Sequence, residues 1–157
     1  MAWTSVIVAC STMPEIDSTP PRQQKKATSS EKQTISELRR SLNNGMPQKN
    51  INRLIEERAQ YKATEYEAEV EQMLGQEYLR INNFTEAGMS FLKGARSSSG
   101  ADAKIQLCKK ASAAFQSNKD WDRLIKGVDF CINQIEIPKE RLVELKELKL
   151  VALEAQG

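Results

Sequence analysis

The 157-residue chain contains no histidine. That absence excludes imidazole metal ligands, Ser-His-Asp and Cys-His nucleophile systems, and the commonest general base near neutral pH. Cysteine is also sparse: Cys10, Cys108 and Cys131 form no C-x-x-C pair, so zinc and dithiol redox motifs are missing. There is no phosphate loop and no glycine-rich turn ahead of a helix. No apolar run approaches the roughly 20 residues that a membrane-spanning helix needs. Glu65, Glu67, Glu69 and Glu71 alternate, so on a helix they point to different sides and imply no acid/base pair. Asp120 and Asp122 flank Trp121 and read as a helix cap and a first-turn carboxylate. The residues therefore predict no enzyme, no cofactor and no metal site.

What is present divides unevenly. Apolar residues make up 39% and aromatics 6%, a low share that predicts an unfolded portion beside one helical domain. The net charge is only +2, but residues 21–49 hold seven basic and two acidic residues, whereas 50–87 hold four and eight. The basic stretch includes Arg22, Lys25, Lys26, Lys32, Arg39 and Arg40, with no interleaved aromatic to stack a base on. It reads first as a solvated linker and helix surface, and second as weak attraction to an anionic surface. Cys108 and Cys131 fall in apolar helical contexts. Both a pair of small buried hydrophobes and, in an oxidising compartment, a disulfide fit them.

Residues 11–30 hold Pro14, Pro20, Pro21, several Ser and Thr, and almost no large apolar residue after Ile16. Such a segment buries too little to offset its ordering entropy, so a flexible linker is expected there. At about 5–6 Å × √n it reaches on the order of 25 Å. Ser30-Glu31-Lys32-Gln33 reads as a capping box that opens a helix with Ile35, Leu38 and Leu42 on one stripe, ended by Asn43-Asn44-Gly45. Ile51, Ile55, Ala59, Ala63, Tyr66, Val70, Met73 and Tyr78 continue an i+3/i+4 stripe. It predicts one long helix from about residue 47 to 81, with a bend near Tyr61–Glu65 as the alternative. Further helices are expected at about 85–97, 102–117, 120–134 and 139–155. The expected fold is therefore all-α, with antiparallel helical hairpins totalling about 5–6 helices over residues 31–157.

Two resemblances sharpen this. Ile7-Val8-Ala9-Cys10, at the end of an uncharged apolar run, resembles the lipobox of bacterial lipoproteins. In that family the cysteine is acylated and the preceding signal peptide removed, which implies residues 1–10 as its remnant and Cys10 as the lipid attachment site. Ser11 after the cysteine implies routing to the outer membrane. The basic n-region is missing, so either the start lies upstream or the match is accidental.

Leu74-Gly75-x-x-Tyr78, then Phe84, Ala87, Phe91 and Ala95, with Gly94 also filling the small site, resembles the tetratricopeptide repeat. The match covers residues 68–101. A weaker copy over 105–138 sets Ala111-Ser112, Phe115, Trp121, Leu124, Val128 and Cys131 at the same positions, offset by 37 residues. The resemblance implies a TPR-like α-solenoid in which these are packing residues, with 139–155 as a capping helix. It also implies a binding groove lined by Glu69, Gln72, Gln76, Leu79 and Arg80 in the first copy. Gln106, Lys109, Ala113, Gln116 and Ser117 line it in the second. This set lacks the clamp of repeats that grip acidic C-terminal peptides.

The expectation is a non-enzymatic scaffold that binds another protein. An envelope lipoprotein of an outer-membrane assembly, pilus, secretion or cell-wall machine comes first, and a soluble cytoplasmic adaptor second. A nucleic-acid binder using the basic stretch is the third class. No small-molecule substrate is expected.

Overall fold

The computed structural model describes residues 23–42 and 45–157. The expected lipid attachment site at Cys10 and most of the expected linker lie outside them. Seven α-helices follow in order: α1 Ser29–Leu42, α2 Pro47–Tyr61, α3 Glu67–Arg80, α4 Phe84–Ser97, α5 Ala101–Ser117, α6 Trp121–Gln134 and α7 Val143–Gln156. The described residues contain no strand, only an isolated bridge between Lys25 and Thr64. Each helix packs on its successor, and α4 also touches α6 while α5 touches α7. The array is thus an all-α stack of antiparallel hairpins.

Local chemistry sets the helix ends. Thr28 and Glu31 form the capping box that starts α1: the Thr28 N–H donates to Glu31 Oε2 at 2.6 Å, and the Glu31 N–H to Thr28 Oγ1 at 3.2 Å. The box lies two residues before the expected Ser30–Gln33 pair, because Glu31 supplies a charged acceptor where Gln33 offers only an amide. Ile35, Leu38 and Leu42 are buried as the stripe predicts. Pro47 opens α2, where its missing N–H costs nothing. Asn83 caps α4 by accepting from Glu86 N, and Asp120 caps α6 by accepting from Arg123 N at 3.2 Å. Pro138 precedes a single 3₁₀ turn at Lys139–Arg141, so the last helix starts at Val143 rather than 139.

The expected long helix is broken, at the place of the alternative bend near Tyr61–Glu65. α2 stops at Tyr61 and α3 begins at Glu67, with Ala63 held at φ 62°. No glycine or proline announces this turn. Side chains make it instead: Thr64 Oγ1 donates to the Tyr61 carbonyl at 2.7 Å, and the Ala63 N–H donates to Glu67 Oε2 at 2.7 Å. The break shifts the buried face. Leu54 is fully buried, whereas Ile55, on the expected stripe, is 47% exposed.

Residues 23–28, the last part of the expected linker, lie against the helical body. Lys25 N donates to the Ala63 carbonyl at 2.7 Å, Gln24 Nε2 donates to the Ser97 carbonyl, and Ala27 is buried.

The core forms two apolar clusters. One joins α1, α2 and α3 through Ile35, Leu38, Ile51, Leu54, Tyr61, Val70 and Leu74. The other runs from α4 to α7 through Phe91, Leu92, Phe115, Leu124 and Leu145. Half-buried Tyr78 touches both. The expected repeat-packing residues are buried or half-buried, with Phe84 outside both clusters. Leu74, Gly75, Ala87, Phe91, Ala95 and Phe115 are buried, and Tyr78, Phe84 and Trp121 are half-buried. A Cβ on Gly75 would lie 2.6 Å from the Phe91 ring, and one on Gly88 would lie 2.5 Å from the Phe115 ring. Glycine at these two sites is what lets the rings settle onto helix backbone.

Cys108 and Cys131 are joined as a disulfide between α5 and α6. Across a sequence separation of 23 residues, such a link stabilises by about 3 kcal/mol. The 37-residue offset maps this pair onto Glu71 and Gly94 of the α3–α4 hairpin. There the two chains approach in the same way: a Cβ on Gly94 would lie 3.4 Å from Glu71 Cβ.

Two outcomes test this account. Ala63→Gly is expected to raise unfolding free energy by up to about 1 kcal/mol and Ala63→Val to lower it, read by urea denaturation. The double variant Glu71→Cys/Gly94→Cys is expected to oxidise to a second intrahelical-hairpin disulfide, since disulfide Cβ atoms lie about 3.5–4.5 Å apart. Mass spectrometry under non-reducing conditions reads the loss of two hydrogens.

Candidate functional site

The residues expected to line a groove lie on α3 and α5 at matched positions. The structure separates them into engaged and open groups. Glu69 takes two hydrogen bonds from the Arg39 guanidinium of α1, one of them 2.6 Å long. Arg80 bonds both carboxylate oxygens of Glu77, at 3.0 and 2.8 Å, and reaches the Gly45 carbonyl at 3.3 Å. Lys109 Nζ pairs with Glu144 of α7 at 2.7 Å. Leu79 packs half-buried against the larger apolar cluster. Left open are Gln76, Gln106, Ala113 and Gln116, all exposed, with Gln72 half-buried. Ser117 is exposed too, its hydroxyl turned back to the Ala113 carbonyl at 2.9 Å. The pairings show that α1 flanks α3 and α7 flanks α5 on this side. Gln76 of α3 and Gln106 and Gln116 of α5 are thus exposed amides on helices whose Glu69 and Lys109 are held by ion pairs.

The alternating glutamates do diverge, each to its own partner. Glu65 pairs with Lys32 at 3.9 Å, Glu67 holds the Ala63 N–H, Glu69 holds Arg39, and Glu71 meets Arg58 of α2 at 2.5 Å. The acidic 50–87 region thus receives side chains of the basic stretch before it. Sequence reasoning missed Glu71 as a buried group, because its partner Arg58 lies across the α2–α3 turn. Glu77 is buried as well, and Asn50 Nδ2 donates to it at 2.9 Å while also bonding the Leu42 carbonyl.

Burial pushes the Glu71 carboxyl above its ordinary value, against the opposing pull of Arg58 and Lys93. Burial likewise pushes the Lys93 ammonium down, and the nearby Arg58 charge adds to that. Glu71 Oε2 is buried without a hydrogen-bond partner. Glu71 is buried while Arg58 and Lys93 are half-buried, and the cluster ties α2, α3 and α4 together. Among the described residues, no group of three or more Cys, Asp and Glu could hold a metal ion. No helix among them is long and apolar enough to cross a membrane.

The outer face of α7 carries Val143, Leu150, Val151 and Leu153, each about half exposed. Leu145 and Ala152 point the other way and are fully buried. No described element covers the outer set.

Glu71 makes a pH prediction. A carboxyl raised in the folded state binds its proton more tightly there than in the unfolded chain. Its contribution is therefore largest at low pH and is lost as pH rises from about 4.5 through the raised value. Glu31, held low by hydrogen bonds from Thr28, and Glu144, held low by Lys109, act with the opposite sign only below that window. Urea unfolding of the unmodified chain is expected to show stability falling as pH rises above about 4.5, and Glu71→Gln to flatten that slope.

Comparison with protein-family models, curated proteins and solved structures finds no match for this chain.

Proposed function

We propose that the chain is a non-enzymatic scaffold of the bacterial envelope. In this reading it is a TPR-like helical repeat, anchored in the outer membrane by acylated Cys10, that presents the exposed amides of α3 and α5 to a periplasmic protein. The observation that carries the reading is the Cys108–Cys131 disulfide between α5 and α6. Structural disulfides persist in oxidising compartments and are rare in the cytosol. The bond thus favours the envelope over a soluble cytoplasmic adaptor.

Three further points support the reading. The lipobox-like Ile7-Val8-Ala9-Cys10 supplies an anchor. The exposed Gln76, Gln106 and Gln116 supply uncharged, hydrogen-bonding side chains at the positions where such repeats bind partners. The equivalence of Glu71–Gly94 with Cys108–Cys131 fits two copies of one hairpin unit.

Labelling with an alkyne analogue of palmitate tests the anchor. The full chain is expected to label and to pellet with membranes, and Cys10→Ala to do neither. Alkylation of the unreduced cellular protein should leave Cys108 and Cys131 unmodified. Labelling that survives Cys10→Ala would sink the anchored reading.

A further inference from the structure

The basic stretch is not uniformly used by the fold. Lys32 pairs with Glu65 and Arg39 with Glu69, so those charges are committed. Lys25 and Lys26 are exposed and carry no ion pair, and so is Lys62 at the α2–α3 turn. The backbone brings them together. Lys25 N bonds the carbonyl of Ala63, the residue after Lys62, at 2.7 Å, and Lys25 bridges Thr64. Residues that are 37 positions apart in sequence thus place three exposed lysines at one end of the array. Two carboxylates lie beside these lysines, and both are engaged by backbone: Glu31 is turned back to cap α1 at Thr28, and Glu67 accepts from the Ala63 N–H at 2.7 Å.

The position of these lysines matters as much as their charge. Gln24 fastens the same strap to the Ser97 carbonyl at the end of α4. In an antiparallel stack, the start of α1, the α2–α3 turn and the α4–α5 turn all lie at one end. The chain between Cys10 and the strap therefore joins the array at the end that carries Lys25, Lys26 and Lys62. Along the chain, this end of the array is the one nearest Cys10.

We infer that Lys25, Lys26 and Lys62 form a contact surface for the anionic headgroups of the membrane to which the chain is anchored. The inference rests on the anchored reading for its place in the cell. Physically, it is the second of the two signals that stable attachment requires: one lipid chain alone gives marginal, reversible binding, and a basic patch adds to it. Each lysine near an anionic surface contributes enough to change retention severalfold, and the contributions multiply.

The test uses the full chain with Cys10 coupled to a maleimide lipid. Cys108 and Cys131 are bonded and buried, so coupling goes to Cys10 alone. Dissociation is followed from vesicles of phosphatidylcholine and from vesicles with about one-third phosphatidylglycerol. The unmodified chain is expected to leave the anionic vesicles much more slowly, and high salt to abolish the difference. Lys25→Glu/Lys26→Glu/Lys62→Glu is expected to lose on the order of a hundredfold in retention on anionic vesicles and little on neutral ones. Lys119→Glu/Lys126→Glu/Lys146→Glu makes the same change in net charge elsewhere and is expected to keep most of the retention. Equal losses in the two triple variants, or no loss in either, overturn the patch. All six lysines are exposed, and a thermal melt by circular dichroism checks that each variant is folded. Because the lipid is attached chemically, this result is independent of whether the cell acylates Cys10, which the palmitate experiment decides.

Discussion

The array depends on two phenylalanine rings that occupy space where a neighbouring helix lacks side chains. Phe91 of α4 presses on Gly75 of α3, and Phe115 of α5 presses on Gly88 of α4. Gly127 of α6 lies on another side of the same Phe115 ring, 3.2 Å from its would-be Cβ. Each ring is fully buried, so each contributes the large apolar area typical of an aromatic core residue. Close-packed interiors tolerate added methyl groups poorly at such contacts. Helix spacing from α3 to α6 is therefore set by backbone-to-ring contact, and the polar features of the molecule are arranged around that frame.

The two central hairpins show how one geometry accepts different chemistry. At the matched position across the helix pair, the second hairpin holds a disulfide and the first holds Glu71 beside Gly94. A covalent bond and a buried ion pair are unlike in what they need. The disulfide needs only the right spacing and an oxidant. The carboxylate needs Arg58 from the preceding hairpin, and so couples α2 to α3 in a way that Cys108 couples nothing outside its own hairpin. Removing Arg58 would leave the buried Glu71 carboxylate without its partner, whereas removing Glu71 leaves a half-exposed guanidinium that water can solvate.

Much of the fold could be read from residue order, and the failures have specific causes. The buried Leu74, Ala87, Phe91 and Phe115 follow from a pattern in which size and spacing carry packing information. The Asp120 cap follows from its side chain and its place before a helical stripe. The α2–α3 break could be read only as the alternative to an unbroken helix, because the turn residue is Ala63, a strong helix former, and the partners that bend the chain, Thr64 and Glu67, are ordinary in a helix. Preferring the unbroken helix also misplaced Ile55 and hid the destination of Glu71. The candidate groove was legible by position alone. That Glu69, Arg80 and Lys109 are held by α1, the α1–α2 turn and α7 depends on contacts across 30 or more residues, which no local pattern records.

The division of the core into two clusters joined by Tyr78 has a mechanical consequence. Tension applied at Gln23 enters through the strap, whose backbone bond to Ala63 and side-chain bond to Ser97 carry the load first. Behind the strap stands the smaller cluster of α1–α3, fastened by ion pairs and apolar contacts that can separate and re-form. The covalent brace lies farther along the chain, between α5 and α6. The stack is thus held by non-covalent contacts where the strap meets it and braced covalently only farther along, between α5 and α6.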